Sequence, residues 1–150
     1  GSDTSPQTIY DGVLEVLQQI HEKVTFHLYG TEDLFKKFPK QAACVFEVCD
    51  NAIEMDENPL TAIRVKKNST LVRGITDLKT EKIDALISCG NTGAIIALAT
   101  IKLDLLKGID RPALMATLPT QKGYTYVVDV GGNSAMNREH LIQFTRLGVS

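Results

Sequence analysis

Two glycine-containing segments of this sequence place small polar residues directly after apolar runs. Residues 88–94 read Ser-Cys-Gly-Asn-Thr-Gly-Ala, and residues 129–134 read Asp-Val-Gly-Gly-Asn-Ser. Where a helix follows such a turn, the unpaired backbone N–H groups carry roughly half a positive charge and bind an anion without a lysine. The two segments therefore indicate a site for phosphate or another anion. An ordinary strand-to-helix turn with a capped helix is the alternative.

In the first segment, each residue type has its own predicted use. Gly90 can adopt a positive φ angle, and Gly93 lets the backbone approach a ligand closely. Asn91 or Thr92 can cap the following helix or donate to an anion. Cys89 has no neighbouring histidine in the sequence to activate it, so a small buried apolar side chain is its ordinary role.

The second segment offers backbone N–H groups at Gly131 and Gly132, which can form an anion-binding nest. Asp129 can orient a donor or accept a proton, or it can simply cap a turn. A third loop ends in Thr120, whose hydroxyl follows the rigid Pro119; a lone threonine in such a place is usually a turn residue.

A basic cluster follows a predicted helix near residue 60. Lys66, Lys67, Asn68 and Ser69 are consecutive, and Arg64 lies two residues before them. Cations near a helix C-terminus complement its dipole, so a solvated helix end is one interpretation. A clamp for phosphate or for an acidic partner protein is the other.

Several classes of protein are disfavoured because their sequence patterns are absent. The net charge of −2 gives no basic field for nucleic acid, and neither a dinucleotide fingerprint nor a P-loop occurs in the 150 residues. The three histidines lack zinc spacing, and three cysteines do not build a disulfide framework. The longest uncharged apolar run, 92–101, has about half the length that a bilayer requires, so a soluble, unsecreted protein is expected.

Helices and strands alternate along the chain, which predicts a layered α/β sandwich with a mostly parallel sheet in one domain. Predicted helices cover residues 6–23, 32–38, 60–65, 71–80, 91–107 and 137–147. Predicted strands cover residues 24–29, 43–48, 83–88, 113–118 and 124–130. Because ligands bind at the carboxyl ends of parallel strands, both glycine segments are expected at that edge of the sheet.

Six ordered motifs together closely resemble the PlsX family, the phosphate acyltransferases of phospholipid synthesis. The motifs are Asp-Thr-Ser-Pro at 3–6, Arg-Val-Lys-Lys-Asn-Ser at 64–69, Ile-Ser-Cys-Gly-Asn-Thr-Gly-Ala at 87–94, Gly-Ile-Asp-Arg-Pro-Ala-Leu at 108–114, Leu-Pro-Thr at 118–120 and Asp-Val-Gly-Gly-Asn at 129–133. The resemblance runs from Asp3 to Ser150. Departures from the family pattern include Gly132, where alanine is common, and the pair Ser134-Ala135, where Val-Asp is usual.

The resemblance implies an enzyme that moves a fatty acyl group from acyl carrier protein to inorganic phosphate and forms acyl phosphate. It further implies a fold similar to isocitrate and isopropylmalate dehydrogenases, a cytoplasmic homodimer, and peripheral membrane contact through parts of the subunit outside this chain. No organic cofactor or metal is expected. Gly1-Ser2-Asp3 retains only the end of a family signature, and family chains continue past Ser150, so these residues are expected to be the amino-terminal part of a longer acyltransferase.

Phosphate is already a nucleophile near neutral pH, so such an enzyme needs mainly to position it and to stabilise the oxyanion. On this reading Asn91 and Thr92 donate to phosphate or to the oxyanion, and Asp129 orients. The other expected phosphate-binding residues are Gly90, Gly93, Gly131, Gly132, Asn133, Lys67, Asn68 and Thr120. Two alternatives stay open, namely a phosphotransacetylase-like enzyme acting on short acyl groups and a non-catalytic phosphate- or acyl-binding module.

Overall fold

The structure is a computed structural model that describes residues 2–20, 23–133 and 135–149. Its contacts group into two compact units, Gly1–Leu98 and Ala99–Ser150. Most elements belong to the first unit: α1 (Pro6–Gln19), β1 (Phe26–Gly30), α2 (Glu32–Phe35), β2 (Cys44–Val48), α3 (Pro59–Val65), α4 (Thr70–Lys79) and the larger part of α5 (Thr92–Lys102). The second unit contains the end of α5 followed by β3 (Met115–Thr120), β4 (Gly123–Val128) and α6 (Arg138–Val149). The described residues form a mixed α/β structure. That the two units belong to a single domain stays a prediction.

Helix α1 begins where the sequence predicts it. The Ser5 hydroxyl accepts a hydrogen bond from the backbone N–H of Thr8 at 3.2 Å, and proline occupies the first helical position. The predicted end near Lys23 is wrong. The helix ends at Gln19, because the next residue has extended backbone angles.

Strands β1 and β2 form a parallel pair, with Phe26 opposite Cys44 and Gly30 opposite Val48. A parallel pair needs a crossover connection, and residues 31–43 supply one that contains α2. The expectation of parallel neighbouring strands is confirmed for this pair.

Helix α4 packs against β1 and supplies much of the core of the first unit. Its apolar side chains Leu71, Val72 and Ile75 are buried. Gly74 lies on the same helix, where an added Cβ would be 2.9 Å from Leu86 Cδ1. Glycine therefore allows the segment around Leu86 to lie close against α4.

Residues 83–88 are not a strand, which corrects the sequence prediction. Apolar and β-branched residues favour an extended chain, but a strand also needs a neighbour whose backbone pairs with it. In the described part of the chain, the backbone N–H and C=O groups of residues 84–87 have no hydrogen-bond partner.

In the second unit, β3 and β4 form an antiparallel hairpin with Thr120 opposite Gly123. The sequence predicts a mostly parallel sheet, and this pair departs from that prediction. Their two-residue connection, 121–122, is too short for a crossover. The hairpin is followed by α6, which packs on β4.

Helix α5 is shorter than predicted. It ends at Lys102 rather than at Lys107. The apolar pattern continues beyond its end, but the chain there forms a turn in which the backbone N–H of Ile109 donates to Leu106 O at 3.0 Å. Among the described residues no helix is long and apolar enough to cross a bilayer.

Candidate functional site

The side chain of Asn91 holds the turn that precedes α5. It is 7% exposed, and its Nδ2 donates to the backbone oxygens of Glu54, Met55 and Glu57 at 3.1, 3.2 and 3.1 Å. Its Oδ1 accepts from the backbone N–H of Ala94 at 3.0 Å, so Asn91 is the N-cap of α5. Both halves of this amide are thus engaged within the first unit.

Three backbone N–H groups at the same turn remain unbonded. The N–H groups of Asn91, Thr92 and Gly93 have no partner among the residues that the structure describes. They lie at the N-terminal end of α5, where the helix dipole places partial positive charge. The N–H of Gly90 differs, because it donates to Ser88 Oγ at 3.2 Å.

The two glycines of the turn differ in what the structure shows of them. The residues described with positive φ do not include Gly90, so the expectation of a left-handed backbone there is wrong. A Cβ on Gly93 would lie 2.8 Å from Pro59 Cγ, closer than real Cβ atoms approach. Packing against the first turn of α3 therefore requires glycine at this position.

Lys66 forms an ion pair with Glu57 inside the first unit. Its Nζ donates to Ala52 O at 2.7 Å and to Glu57 Oε2 at 2.6 Å. The Lys66 ammonium, followed by the backbone N–H of Glu54, holds the pKa of Glu57 below its usual range. Because the carbonyl of Glu57 also accepts from Asn91, the ion pair and the Asn91 amide stabilise the same loop.

The residues around Lys66 in the basic cluster lie partly at the surface and partly in the core. Arg64, Lys67 and Asn68 are exposed, and the carbonyl of Asn68 accepts from the backbone N–H of Asp50 at 3.1 Å. Ser69 is fully buried. The exposed cations are therefore available to a partner, whereas the ammonium of Lys66 already has one.

A cavity of about 740 Å³ lies beside the turn, within the first unit. Residues 88–91 of the turn and residues 28–30 of β1 line part of it. Aromatic side chains, including Phe35 and Phe38, line another part. Its volume is in the range of small-molecule sites.

In the second unit, the loop after β4 is shaped by its own backbone. Asp129 and Gly131 have φ angles of 63° and 82°, and the N–H of Gly131 donates to Asp129 O at 2.9 Å. Asn133 Nδ2 donates to Asp129 Oδ1 at 2.9 Å and to Pro112 O at 3.2 Å. The Asp129 carboxylate is thus positioned by Asn133, and Ser134 lies outside the described residues.

Gly132 has a packing role in this loop, and Thr120 lies away from it. A Cβ on Gly132 would be 3.0 Å from Leu114 Cγ. Asp129 follows β4 at one end of the hairpin, whereas Thr120 lies at the other end and its Oγ1 donates to Gly123 O at 3.2 Å. Six-residue strands separate these ends by about 17 Å, so the structure does not bring the Thr120 hydroxyl to the Asp129 loop.

The first unit also contains a charged cluster that no local sequence pattern predicts. Asp77 is 5% exposed and accepts from Tyr29 Oη and Lys82 Nζ, each at 3.0 Å. Lys82 also donates to Glu47 Oε1, whose other neighbour is His27 Nδ1. Burial and the hydrogen bond to Asp77 raise the pKa of Tyr29, while Lys82 holds the pKa of Glu47 below its usual range. Every ionised member has a partner of opposite charge, so the cluster is structural.

The fold and the turns define a mixed α/β protein with unbonded helix N-terminal amides beside a cavity. The chain matches the family model described as "Fatty acid synthesis protein" over residues 1–150, and it belongs to that family. It is similar to the phosphate acyltransferase of Thermoanaerobacter pseudethanolicus, with 39% identity over 99% of this chain and 45% of the relative. For the phosphate acyltransferase of Magnetococcus marinus, the identity is 37% over 99% of this chain and 43% of the relative.

A third relative is the phosphate acyltransferase of Chlamydia pneumoniae, with 33% identity over 100% of this chain and 50% of the relative. The resemblance drawn from the sequence motifs is therefore confirmed. The chain spans about half the length of the curated relatives that it matches.

Proposed function

We propose that this chain is part of a phosphate acyltransferase that moves a fatty acyl group from acyl carrier protein to inorganic phosphate. The observation that carries the proposal is that the backbone N–H groups of Asn91, Thr92 and Gly93, at the start of α5, have no partner among the described residues. They occur in a chain whose relatives are named phosphate acyltransferase. An anion is the ligand that such amides favour.

In the proposed reaction, a phosphate oxygen attacks the carbonyl carbon of the acyl thioester. The carbonyl electrons move to oxygen, and the resulting oxyanion is stabilised by backbone N–H groups. Collapse of this intermediate breaks the carbon–sulfur bond, and the thiolate leaves and takes up the proton that phosphate gives up. The products are acyl phosphate and the free thiol of the carrier.

The roles of the site residues follow from their contacts. Because both N–H groups of the Asn91 side chain point to backbone carbonyls, we assign the donor role to the backbone amides of Asn91, Thr92 and Gly93. The Asn91 side chain then positions the turn. Asp129 orients Asn133 and does not attack.

The other parts of the proposal rest on the likeness to phosphate acyltransferases. In the second unit Gly132 and Asn133 stay predicted backbone donors to an anion, and in the first unit Lys67 and Asn68 stay predicted contacts. The N–H groups of Gly131 and Gly90 already donate to Asp129 O and Ser88 Oγ, and the Thr120 hydroxyl donates to Gly123 O, so these three predicted contacts are not part of the proposal. The full-length enzyme is a cytoplasmic homodimer with peripheral membrane contact, and its sheet has the layered arrangement of isocitrate dehydrogenase-like folds.

A proline substitution tests the amide donors. Thr92 is the first residue of α5, a position that proline occupies in α1 and α3 of this chain. Thr92→Pro therefore removes one N–H group while the helix is retained. In the enzyme at the length of its relatives, we expect kcat for acyl phosphate formation to fall by about 100-fold or more.

The matched control is Thr92→Ala, which keeps the amide and removes only an exposed hydroxyl. We expect its kcat to stay within about 3-fold of the unmodified enzyme, since no donor to the oxyanion is lost. Equal activity of the proline and alanine variants would remove the amide at position 92 from the mechanism. Phosphate binding without phosphate-dependent loss of thioester would favour a non-catalytic module instead.

Substitution of exposed basic residues tests whether this surface binds the acyl carrier protein. Basic side chains favour an acidic partner protein, and Arg64 and Lys67 are exposed, so these two are the proposed contacts of the carrier protein. The double variant Arg64→Glu with Lys67→Glu should raise KM for the acylated carrier by about 10-fold, with kcat little changed. Lys37→Glu, an exposed charge reversal on another part of the first unit, is the control.

A further inference from the structure

The loop 54–57, which precedes α3, holds the turn at the start of α5. Three of its backbone oxygens accept the hydrogen bonds that Asn91 Nδ2 donates, namely those of Glu54, Met55 and Glu57. Through its Oδ1 the same side chain accepts from the backbone N–H of Ala94, so it joins the loop to the first turn of α5. The place of the unbonded N–H groups of residues 91–93 therefore depends on where this loop lies.

Charged side chains fix the loop. Glu57 Oε2 accepts from the backbone N–H of Glu54 at 2.8 Å, which closes the loop on itself. The same carboxylate oxygen accepts from Lys66 Nζ at 2.6 Å, and Lys66 also donates to Ala52 O at 2.7 Å. Lys66 thus ties the chain before the loop to the carboxylate at its end. Hydrogen bonds between ionised groups are stronger than those between neutral groups.

Helix α3 connects the two charged residues and also contacts the turn. Glu57 lies just before α3, and Lys66 is the C-cap of this helix, so their ion pair closes α3 and its leading loop into a ring. Pro59, at the start of α3, lies against Gly93, where an added Cβ would be 2.8 Å from Pro59 Cγ. The ring therefore meets the turn through this packing contact as well as through the Asn91 side chain.

We propose that Lys66 and Glu57 are positioning residues of the acyltransferase, whose ion pair sets the place of the backbone N–H groups of residues 91–93 and thereby the affinity for phosphate. The inference rests on the proposed function, in which these N–H groups bind the anion. Neither side chain contacts the phosphate. The Lys66 ammonium already has two oxygen partners, and one of them is a carboxylate, which repels an anion.

Small displacements of the loop matter because hydrogen bonds to an anion depend on geometry. An N–H···O bond weakens steeply at angles below about 120°, so N–H groups that bind one anion must keep their directions. Loss of the ammonium leaves Ala52 O without this donor. It also lets the Glu57 carboxylate, whose side chain is 32% exposed, turn to solvent. The carbonyls that hold Asn91 then lose their fixed place.

Steady-state kinetics on the enzyme at the length of its relatives test the positioning role. We expect Lys66→Met and Glu57→Gln each to raise KM for inorganic phosphate by about 10-fold, because each removes the same ion pair. The double variant should be no worse than either single variant, since the pair is already broken. A purely structural role would lower the amount of active enzyme but leave KM for phosphate unchanged, and that result would overturn the proposal.

The two variants also separate positioning from direct contact. If Lys66 bound phosphate itself, Lys66→Met would raise KM for phosphate, whereas Glu57→Gln would leave it unchanged or lower it by releasing the ammonium to the anion. That pattern would overturn the proposal. Lys36→Met is the matched control, because Lys36 forms ion pairs with Glu32 and Asp33 at the surface. Its KM for phosphate should stay within about 2-fold of the unmodified enzyme.

Amide hydrogen exchange on the same full-length variants gives a readout that does not depend on turnover. The N–H of Ala94 donates to Asn91 Oδ1, so its exchange reports whether the turn is held. In Lys66→Met and in Glu57→Gln it should be faster by about 10-fold, whereas exchange at Leu98, which is buried on the same helix, should not change.

The two readouts together distinguish a failure of this inference from a failure of the proposed function. Unchanged exchange at Ala94 would overturn the positioning role and leave the proposed function standing. Faster exchange with an unchanged KM for phosphate would overturn both, since the turn would then be held by the ion pair without binding the anion.

Discussion

Two glycine-containing turns, one in each unit, are held by an asparagine amide in different ways. Asn91 donates to three backbone oxygens that lie 34 to 37 residues away in sequence. Asn133 donates to the carboxylate of Asp129, four residues away, and to Pro112 O. The amide of Asn91 therefore bonds only to residues outside its turn through its nitrogen, whereas the amide of Asn133 bonds both to its own turn and to Pro112.

The two turns also differ in the reason why each needs glycine. Gly93 is required because Pro59 of another helix occupies the space of a side chain. Gly131 has open space around it but a φ angle of 82°, which side chains rarely adopt. The first turn thus needs Gly93 for packing, whereas the second needs Gly131 for its backbone conformation and Gly132 for its packing against Leu114.

Replacing the asparagines gives the largest expected difference between the turns. Asn91→Ala removes a helix cap and leaves three carbonyl oxygens without their donor, so we expect a loss of about 3 kcal/mol in the free energy of unfolding. Asn133→Ala, at a half-buried position, should cost about 1 kcal/mol. Urea unfolding measures both.

A control variant measures how much a helix cap alone contributes to stability. The side chain of Asn58 caps α3 by accepting a hydrogen bond from the backbone N–H of Thr61, and both residues are exposed. Asn58→Ala should cost about 1 kcal/mol. If Asn91→Ala costs no more than this control, the three long-range hydrogen bonds do not stabilise the turn.

The glycines give the next largest effect. Gly93→Ala should cost about 2 kcal/mol through overlap with Pro59, and Pro59→Ala in the same chain should recover part of that loss. Gly131→Ala should cost about 1 to 2 kcal/mol through backbone strain. No neighbouring substitution relieves it, but Gly131→Asn should be milder because asparagine tolerates positive φ. Recovery of Gly131→Ala by a change at a neighbour would remove the distinction.

Lowering the pH should change stability least, and it acts on the first turn through the carboxylate of Glu57. Lys66 lowers the pKa of this carboxylate, so the folded state binds fewer protons than the unfolded state near pH 4. Stability from this group is present above its unfolded pKa and is lost as the pH falls through its folded pKa. Glu57→Gln should flatten the decline of Tm between about pH 6 and about pH 3. An unchanged slope would exclude this ion pair as a source of acid sensitivity.

Local features of this chain could be predicted from sequence, because their causes lie within a few residues. Ser5 and Pro6 start α1 through a cap and a fixed φ angle, which are properties of adjacent residues. The apolar runs 24–29 and 43–48 predict strands close to β1 and β2. The motifs likewise indicate the family that the comparison confirms.

Other features depend on residues far apart in sequence, and prediction fails there. The segment 83–88 has strand composition but no described strand beside it. Asn91 has the residue type of an anion donor, but Glu54, Met55 and Glu57 occupy its side-chain donors. The cluster of Tyr29 and Asp77 joins residues 48 positions apart.

The sequence by itself determined where helices start, which segments are extended and to which family the chain belongs. Each of these depends on short-range sterics, capping or ordered motifs. Only the tertiary structure decided which polar groups are already bonded and which stay open. Hydrogen bonds are saturable: Asn91 Oδ1 already accepts from the N–H of Ala94, and the carbonyls of Glu54, Met55 and Glu57 accept from Asn91 Nδ2. The amides of Thr92 and Gly93 therefore stay without a partner among the described residues.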